Sequence, residues 1–151
     1  MKYEWEYRKF GDFTYNVLPQ SQIKPFLVEW VKREWEIDHS EFPDQPWTLQ
    51  WLDLLSRMEF MLEELDMDRI QLRPDLMSYK TTAYDFMASL MARAQKREES
   101  LLRGVSTEPL LVNGSDFELM DGYTRYMVFR NHNQERVLAY VGRVNDEPPN
   151  Q

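Results

Sequence analysis

EPLLVNGSDFELMDGYTRYMVFRNHNQERVLAYVGRV, residues 108–144, carries the clearest succession of strand, turn and helix signals in the chain. Two short apolar runs, Leu110-Leu111-Val112 and Phe117-Glu118-Leu119-Met120, flank Asn113-Gly114. That dipeptide marks a hairpin, because the favoured two-residue turn needs positive φ at both central positions. The second run ends at Asp121, Gly122 follows, and Tyr126, Met127 and Arg130 then recur at helical spacing. Helix-poor residues at Asn131-His132-Asn133 end that helix, and Arg136 to Val144 reads as a last strand. Val137, Ala139 and Val141 lie on one face of it and Leu138 and Tyr140 on the other, the pattern of a strand covered on both sides.

The middle of this stretch, Asp121-Gly122-Tyr123-Thr124-Arg125, has a chemistry of its own. A strand ends, glycine lets the backbone turn, and a helix begins. The first amides of a helix have no intrahelical partner, and the helix dipole adds about half a positive charge at that end. Arg125, one turn in, can fold back over the same spot as a forked donor. Such a corner suits anions, phosphates above all. Asp121 beside it can hold a metal, cap the helix or act as a base. The plainer reading makes Asp121 a cap and Arg125 a salt-bridge partner of Asp121 or Glu118.

The order of elements and the acidic-Gly-x-x-Arg-Tyr corner opening a helix resemble the ParB/sulfiredoxin-like family, which includes ParB N-terminal domains, sulfiredoxins and small ParB-like kinases. The resemblance runs from about Asp68 to Val144 and is best from Leu110 to Val141. It implies a mixed α+β fold and a corner at Gly122, Tyr123, Thr124 and Arg125 that cradles nucleotide phosphates. From the kinases it implies a carboxylate after the first strand. Asp75 is the nearest here, with Lys80 and Asp85 as further ligand contacts and Asp121 as the carboxylate of the corner itself. The implied cofactor is ATP or CTP with Mg²⁺, with the metal's ligands unassigned.

The sequence also departs from the family. Tyr123 stands where sulfiredoxin has its catalytic Cys, and the chain contains no Cys, so thiol chemistry is excluded. Thr124 stands where sulfiredoxins and the kinases have a His before the Arg. Asp146 to Gln151 is expected to be a disordered tail rather than a helix-turn-helix, so partitioning in the ParB manner is not expected.

Composition bounds the rest. The chain has 151 residues, 42% of them hydrophobic and 29% charged, enough for one good core or a domain with an extension. No apolar run approaches a membrane span and no signal peptide is read at the start, so a cytoplasmic location is expected. The net charge of −8 is uneven. Met1 to Asp68 holds 7 basic and 15 acidic residues, whereas Arg69 to Gln151 holds 11 of each. All five Trp (5, 30, 35, 47 and 51) lie in the acidic part. The expected organisation is therefore an acidic, mainly helical extension over 1–67, a ParB/sulfiredoxin-like domain over 68–145 and a tail over 146–151. An acidic chain without a basic stripe argues against tight binding to duplex DNA, which requires phosphate neutralisation. Arg93, Lys96, Arg97 and Arg103 form a local basic patch.

Within the extension, Tyr3, Trp5 and Tyr7 alternate with charges as a strand, and Phe13-Thr14-Tyr15 returns past Gly11-Asp12. A helix follows from about Ser21, with Pro25 near its start and Phe26, Trp30, Val31 and Trp35 at helical spacing. Asp38-His39-Ser40-Glu41 reads as a polar loop rather than a metal cluster. A second helix is expected from Thr48 to about Leu65. Arg69 to Arg73 reads as the first strand of the family-like part, stopped by Pro74, and Ala83 to Leu102 as its best-patterned helix, ended by Gly104. Two functional readings follow. One is a stand-alone ParB-like protein that binds a nucleotide or phosphate at the corner, as a small phosphotransferase or nucleotide hydrolase. The other is a non-catalytic binding or regulatory module that meets a protein partner, or a second copy, through the Trp-rich part.

Overall fold

The computed structural model describes residues 2–44 and 46–144. The tail expected over 146–151 and the side chain of Trp47 lie outside the described residues. The chain opens with a hairpin, β1 (Glu6–Phe10) and β2 (Phe13–Val17), turning at Gly11, where φ is +62°. Strand β1 faces solvent, whereas Phe13, Tyr15 and Val17 of β2 are buried. Phe13 meets Phe129 edge-on at 4.9 Å, and Asn16 N–H donates to the Thr107 carbonyl at 2.9 Å.

Helix α1 (Gln20–Phe26) runs through a π turn (Leu27–Val31) into α2 (Lys32–Glu41). Pro25 lies just before the wide turn; lacking an N–H, it cannot donate to the carbonyl four residues back, and insertions of this kind relieve such a gap. The polar loop expected at Asp38–Glu41 is the last turn of α2 instead. Helix α3 spans Pro46–Leu55 and stops well short of the expected end near Leu65. After a turn at Ser56-Arg57 the chain enters β3 (Met58–Asp66). Met58, Met61, Leu62 and Leu65 fit a helical stripe, but β3 pairs antiparallel with β6 (Arg136–Val144) over all nine of its residues, and that ladder overrides local preference.

The expected strand at Arg69–Arg73 reduces to one parallel bridge between Gln71 and Glu118, preceded by a 3-10 turn (Met67–Arg69). After a short helix α4 (Pro74–Met77), α5 runs from Phe86 to Leu102, with the Asp85 carboxylate accepting from Ala88 N–H at 3.2 Å. It ends before Gly104, where φ is +95°. Then come β4 (Leu110–Asn113), β5 (Glu118–Asp121) and α6 (Tyr123–Asn131), leading into β6.

The four-stranded sheet has the order β3-β6-β4-β5, with β4 parallel to β6 and both other pairs antiparallel. This is a mixed α+β fold. Strand β6 is buried continuously from Val137 to Gly142, as expected of a strand covered on both faces. The β4–β5 hairpin forms, but with a longer loop than the Asn-Gly signal implies: the positive φ falls on Phe117 (+59°) and not on Gly114. Gly114 is needed for proximity instead, since its N–H donates to the Gly142 carbonyl at 2.7 Å and an added Cβ would lie 3.0 Å from that oxygen. Buried side chains from Phe13 to Val141 form one cluster, to which the acidic and neutral halves both contribute. Among the described residues no helix is long and apolar enough to cross a membrane.

Candidate functional site

The corner between β5 and α6 is built by Gly122. Its φ of +101° turns the chain from the end of the sheet into the helix, and α6 begins there without any side-chain cap. The place is tight as well as twisted. A Cβ on Gly122 would meet Arg125 Nη2 at 2.7 Å and Leu110 Cδ2 at 2.9 Å. Arg125 therefore does fold back over the start of its own helix, and only glycine leaves room beneath it.

Arg125 is held loosely for so enclosed a cation. Its Nη2 donates to the Pro109 carbonyl at 3.3 Å and lies 3.9 Å from Asp121 Oδ2, at the outer limit of an ion pair. Its Nε is buried and has no hydrogen-bond partner among the described residues. A second guanidinium stands beside it: Arg93 of α5 donates to Thr124 Oγ1 at 3.1 Å. Two cations, one of them with a spare N–H, and the residues of an uncapped helix start thus line one cavity.

Asp121 does not cap the helix; that position belongs to Gly122. Glu118, the other partner considered for Arg125, pairs with Arg73 at 3.2 Å instead. Tyr123 is buried, its hydroxyl donating to the Leu119 carbonyl at 3.0 Å and accepting from Arg73 N–H at 3.3 Å. Burial raises its pKa, and with both hydroxyl contacts taken, its backbone amide is what remains for a ligand.

The corner forms the floor of a cavity of about 300 Å³. Glu34, Trp35 and Asp38 of α2 form the opposite wall, and Trp51, Tyr84 and Phe86 contribute aromatic sides. Trp35 and Trp51 are buried, with ring centroids 5.5 Å apart. The Glu34 carboxyl is pushed up by partial burial, then by the negative charges of Asp121, Glu108 and Asp38. Asp38 is raised by burial and then by Asp121. Glu108, more deeply placed, is raised by burial and pulled part of the way back by Arg125. A second, shallower cleft of about 370 Å³ shares Arg93, Thr124 and Arg125 with the first and is otherwise lined by Lys96 and Arg97.

The residues singled out from sequence separate into two groups. Asp121, Gly122, Tyr123, Thr124 and Arg125 line the cavity together. Asp75, Lys80 and Asp85 do not line it. The Asp75 carboxylate is gripped by Arg73 through two contacts, at 2.9 and 2.7 Å, and that guanidinium holds its pKa below the usual carboxylate range. Lys80 lies 3.7 Å from Asp85, which caps α5. Among the described residues no group of three or more His, Asp or Glu is placed to hold a metal ion by itself.

Sequence reasoning missed the α2 wall. The spacing of Glu34, Trp35 and Asp38 is that of one helical face, but nothing local says which surface that face covers. Arg93 was visible only as part of a basic patch.

No family model matches the chain, and no curated protein does. Among solved structures it is similar to a pNOB8-like ParB N-domain. One structure of that domain is 18% identical, with a TM-score of 0.39, covering 60% of this chain and 31% of the other. Its C2221 form is 15% identical, with a TM-score of 0.38, covering 56% and 30%. The chain therefore spans about a third of the length of either neighbour.

Proposed function

We propose that the protein binds a phosphate-bearing ligand at the Asp121–Arg125 corner, with a nucleotide as the leading candidate. The observation that carries this reading is the Arg125 guanidinium folded over Gly122 at the uncapped start of α6, with its Nε unpaired and Arg93 beside it. A phosphate oxygen supplies what that arrangement lacks, an anionic acceptor able to take the spare N–H and the first amides of the helix together. The adjoining cleft of Arg93, Lys96 and Arg97 offers a path for further phosphates. In the phosphotransferase form of the proposal, Asp121 is the nearest carboxylate to the corner and serves as base or metal contact. Mg²⁺ would then arrive with the nucleotide, since such reactions need the metal to bridge and neutralise the phosphates. Asp75, engaged by Arg73, serves better as a structural anion than as a base.

A thermal-shift screen of ATP, CTP, GTP, ADP and inorganic phosphate, each with and without Mg²⁺, tests the reading on wild type and Arg125→Ala. A ligand at about 100 times its Kd stabilises the fold by about 2.7 kcal/mol, a rise of roughly 5–10 °C for a chain of this size. The expected result is a rise in wild type that disappears in an Arg125→Ala protein with unchanged circular dichroism. No rise with any of these ligands would overturn the proposal.

A further inference from the structure

The cavity above the corner is unusual in its charge. Arg93 and Arg125 lie on the floor, while Glu34 and Asp38, one helical turn apart, face them from α2. A ligand that brought only negative charge would gain at the floor and lose at the wall, each by an amount that solvent moderates because Glu34, Asp38 and Arg93 keep exposed side chains. At about 300 Å³ the cavity also sits at the lower end of ligand pockets, so what it encloses is small.

Two further observations bear on the occupant. Trp35 lies between Glu34 and Asp38 in sequence and lines the same wall, giving a cation an aromatic surface beside two carboxylates. Trp51, only 2% exposed, also lines the cavity, and its indole N–H has no hydrogen-bond partner among the described residues. That leaves one buried donor without a partner in a residue of the cavity's aromatic side.

We infer that the molecule held in this cavity is a small zwitterion, a phosphate monoester of an amino alcohol, with its phosphate on Arg93, Arg125 and Thr124 and its ammonium between Glu34 and Asp38. The inference rests on the phosphate corner proposed above and adds the amine. The ammonium turns the wall from a repulsive surface into an attractive one. Trp51 N–H can take an oxygen of the phosphate ester that joins the two ends. The basic cleft along α5 shares Arg93, Thr124 and Arg125 with the cavity, so a nucleotide entering from that side competes with the small phosphate for the same groups.

Isothermal titration of wild type with phosphoethanolamine and with ethyl phosphate separates the two ideas. The ligands share the phosphate and the two-carbon chain and differ in the amine. Phosphoethanolamine is expected to bind at least about tenfold more tightly, a difference of about 1.4 kcal/mol. A Glu34→Gln/Asp38→Asn double variant should bring the two within about twofold of each other. Equal affinities in wild type, with both lost in Arg125→Ala, would overturn the amine seat and leave the phosphate corner standing. Heat from neither ligand would overturn the zwitterion, and the phosphate corner falls with it only where no nucleotide raises the melting temperature either. The wild-type comparison decides the matter even if the double variant fails to fold.

Discussion

Gly122→Ala puts the geometry of the corner to its hardest test. Two separate costs are expected. The first is conformational: at φ +101° a residue with a Cβ pays about 1–2 kcal/mol. The second is steric. The new methyl would lie 2.9 Å from Leu110 Cδ2, a side chain with no exposed surface, and 2.7 Å from Arg125 Nη2. Forcing a methyl into a packed site costs about 1–3 kcal/mol. Arg125 can swing away, but Leu110 is fixed in the core, so the steric part should not vanish. The total is about 2–5 kcal/mol, or roughly 5–15 °C in Tm for a chain of this length.

Gly104→Ala isolates the first cost. Gly104 has a similar φ of +95°, yet an added Cβ there meets nothing within 4 Å. Thermal denaturation by circular dichroism of both variants therefore gives the steric share as a difference, expected at about 1–3 kcal/mol. Equal Tm losses in the two variants would refute the close approach of Arg125 and Leu110 to Gly122. A wild-type Tm for Gly122→Ala would refute the corner's backbone as well. Where Gly122→Ala remains folded, the displaced guanidinium should also weaken any phosphate response.

Two other substitutions probe the supports of the site. Tyr123→Phe leaves the Leu119 carbonyl and the Arg73 amide without their partner, and chemical denaturation should show a loss of about 1–3 kcal/mol while the phosphate response survives. Glu108→Gln tests the half-buried carboxyl that interacts electrostatically with Arg125. Burial raises the Glu108 pKa above its ordinary value of 4.5, so the folded state holds its proton more tightly than the unfolded state does. The charged form therefore costs stability above the raised value, and that cost is relieved as pH falls through it toward 4.5. Glu108→Gln should accordingly be more stable than wild type near neutral pH and lose that advantage on acidification. An advantage independent of pH, measured from urea midpoints across this range, would show that the carboxyl is not the titrating cause.

The hairpin, α6 and β6 were legible from sequence because each combines a clear apolar period with a breaker: Asn113-Gly114, Gly122, and the Asn131–Asn133 cluster. Strand β3 was not. Met58, Met61, Leu62 and Leu65 satisfy the helical period, and Met, Glu and Leu favour helices, so only the ladder with β6 selects the strand. For the same reason Arg69–Arg73 looked like a strand but finds a single bridge, because β5 accepts only Gln71 beside Glu118.

The candidate site divides along the same line. The sequence determined the corner, because its parts lie within five consecutive residues and depend on short-range rules: glycine's access to positive φ, the unpaired amides of a helix start, and the reach of an arginine one turn in. It also excluded thiol chemistry, since the chain has no cysteine. The tertiary structure alone decided what faces that corner. Arg93 arrives from α5, Glu34, Trp35 and Asp38 from α2, and Trp51 from α3, across separations of up to about ninety residues. Helical periodicity fixes which side chains share a face. Which surface that face covers depends on how helices and sheet settle around a common core, and no local pattern encodes it.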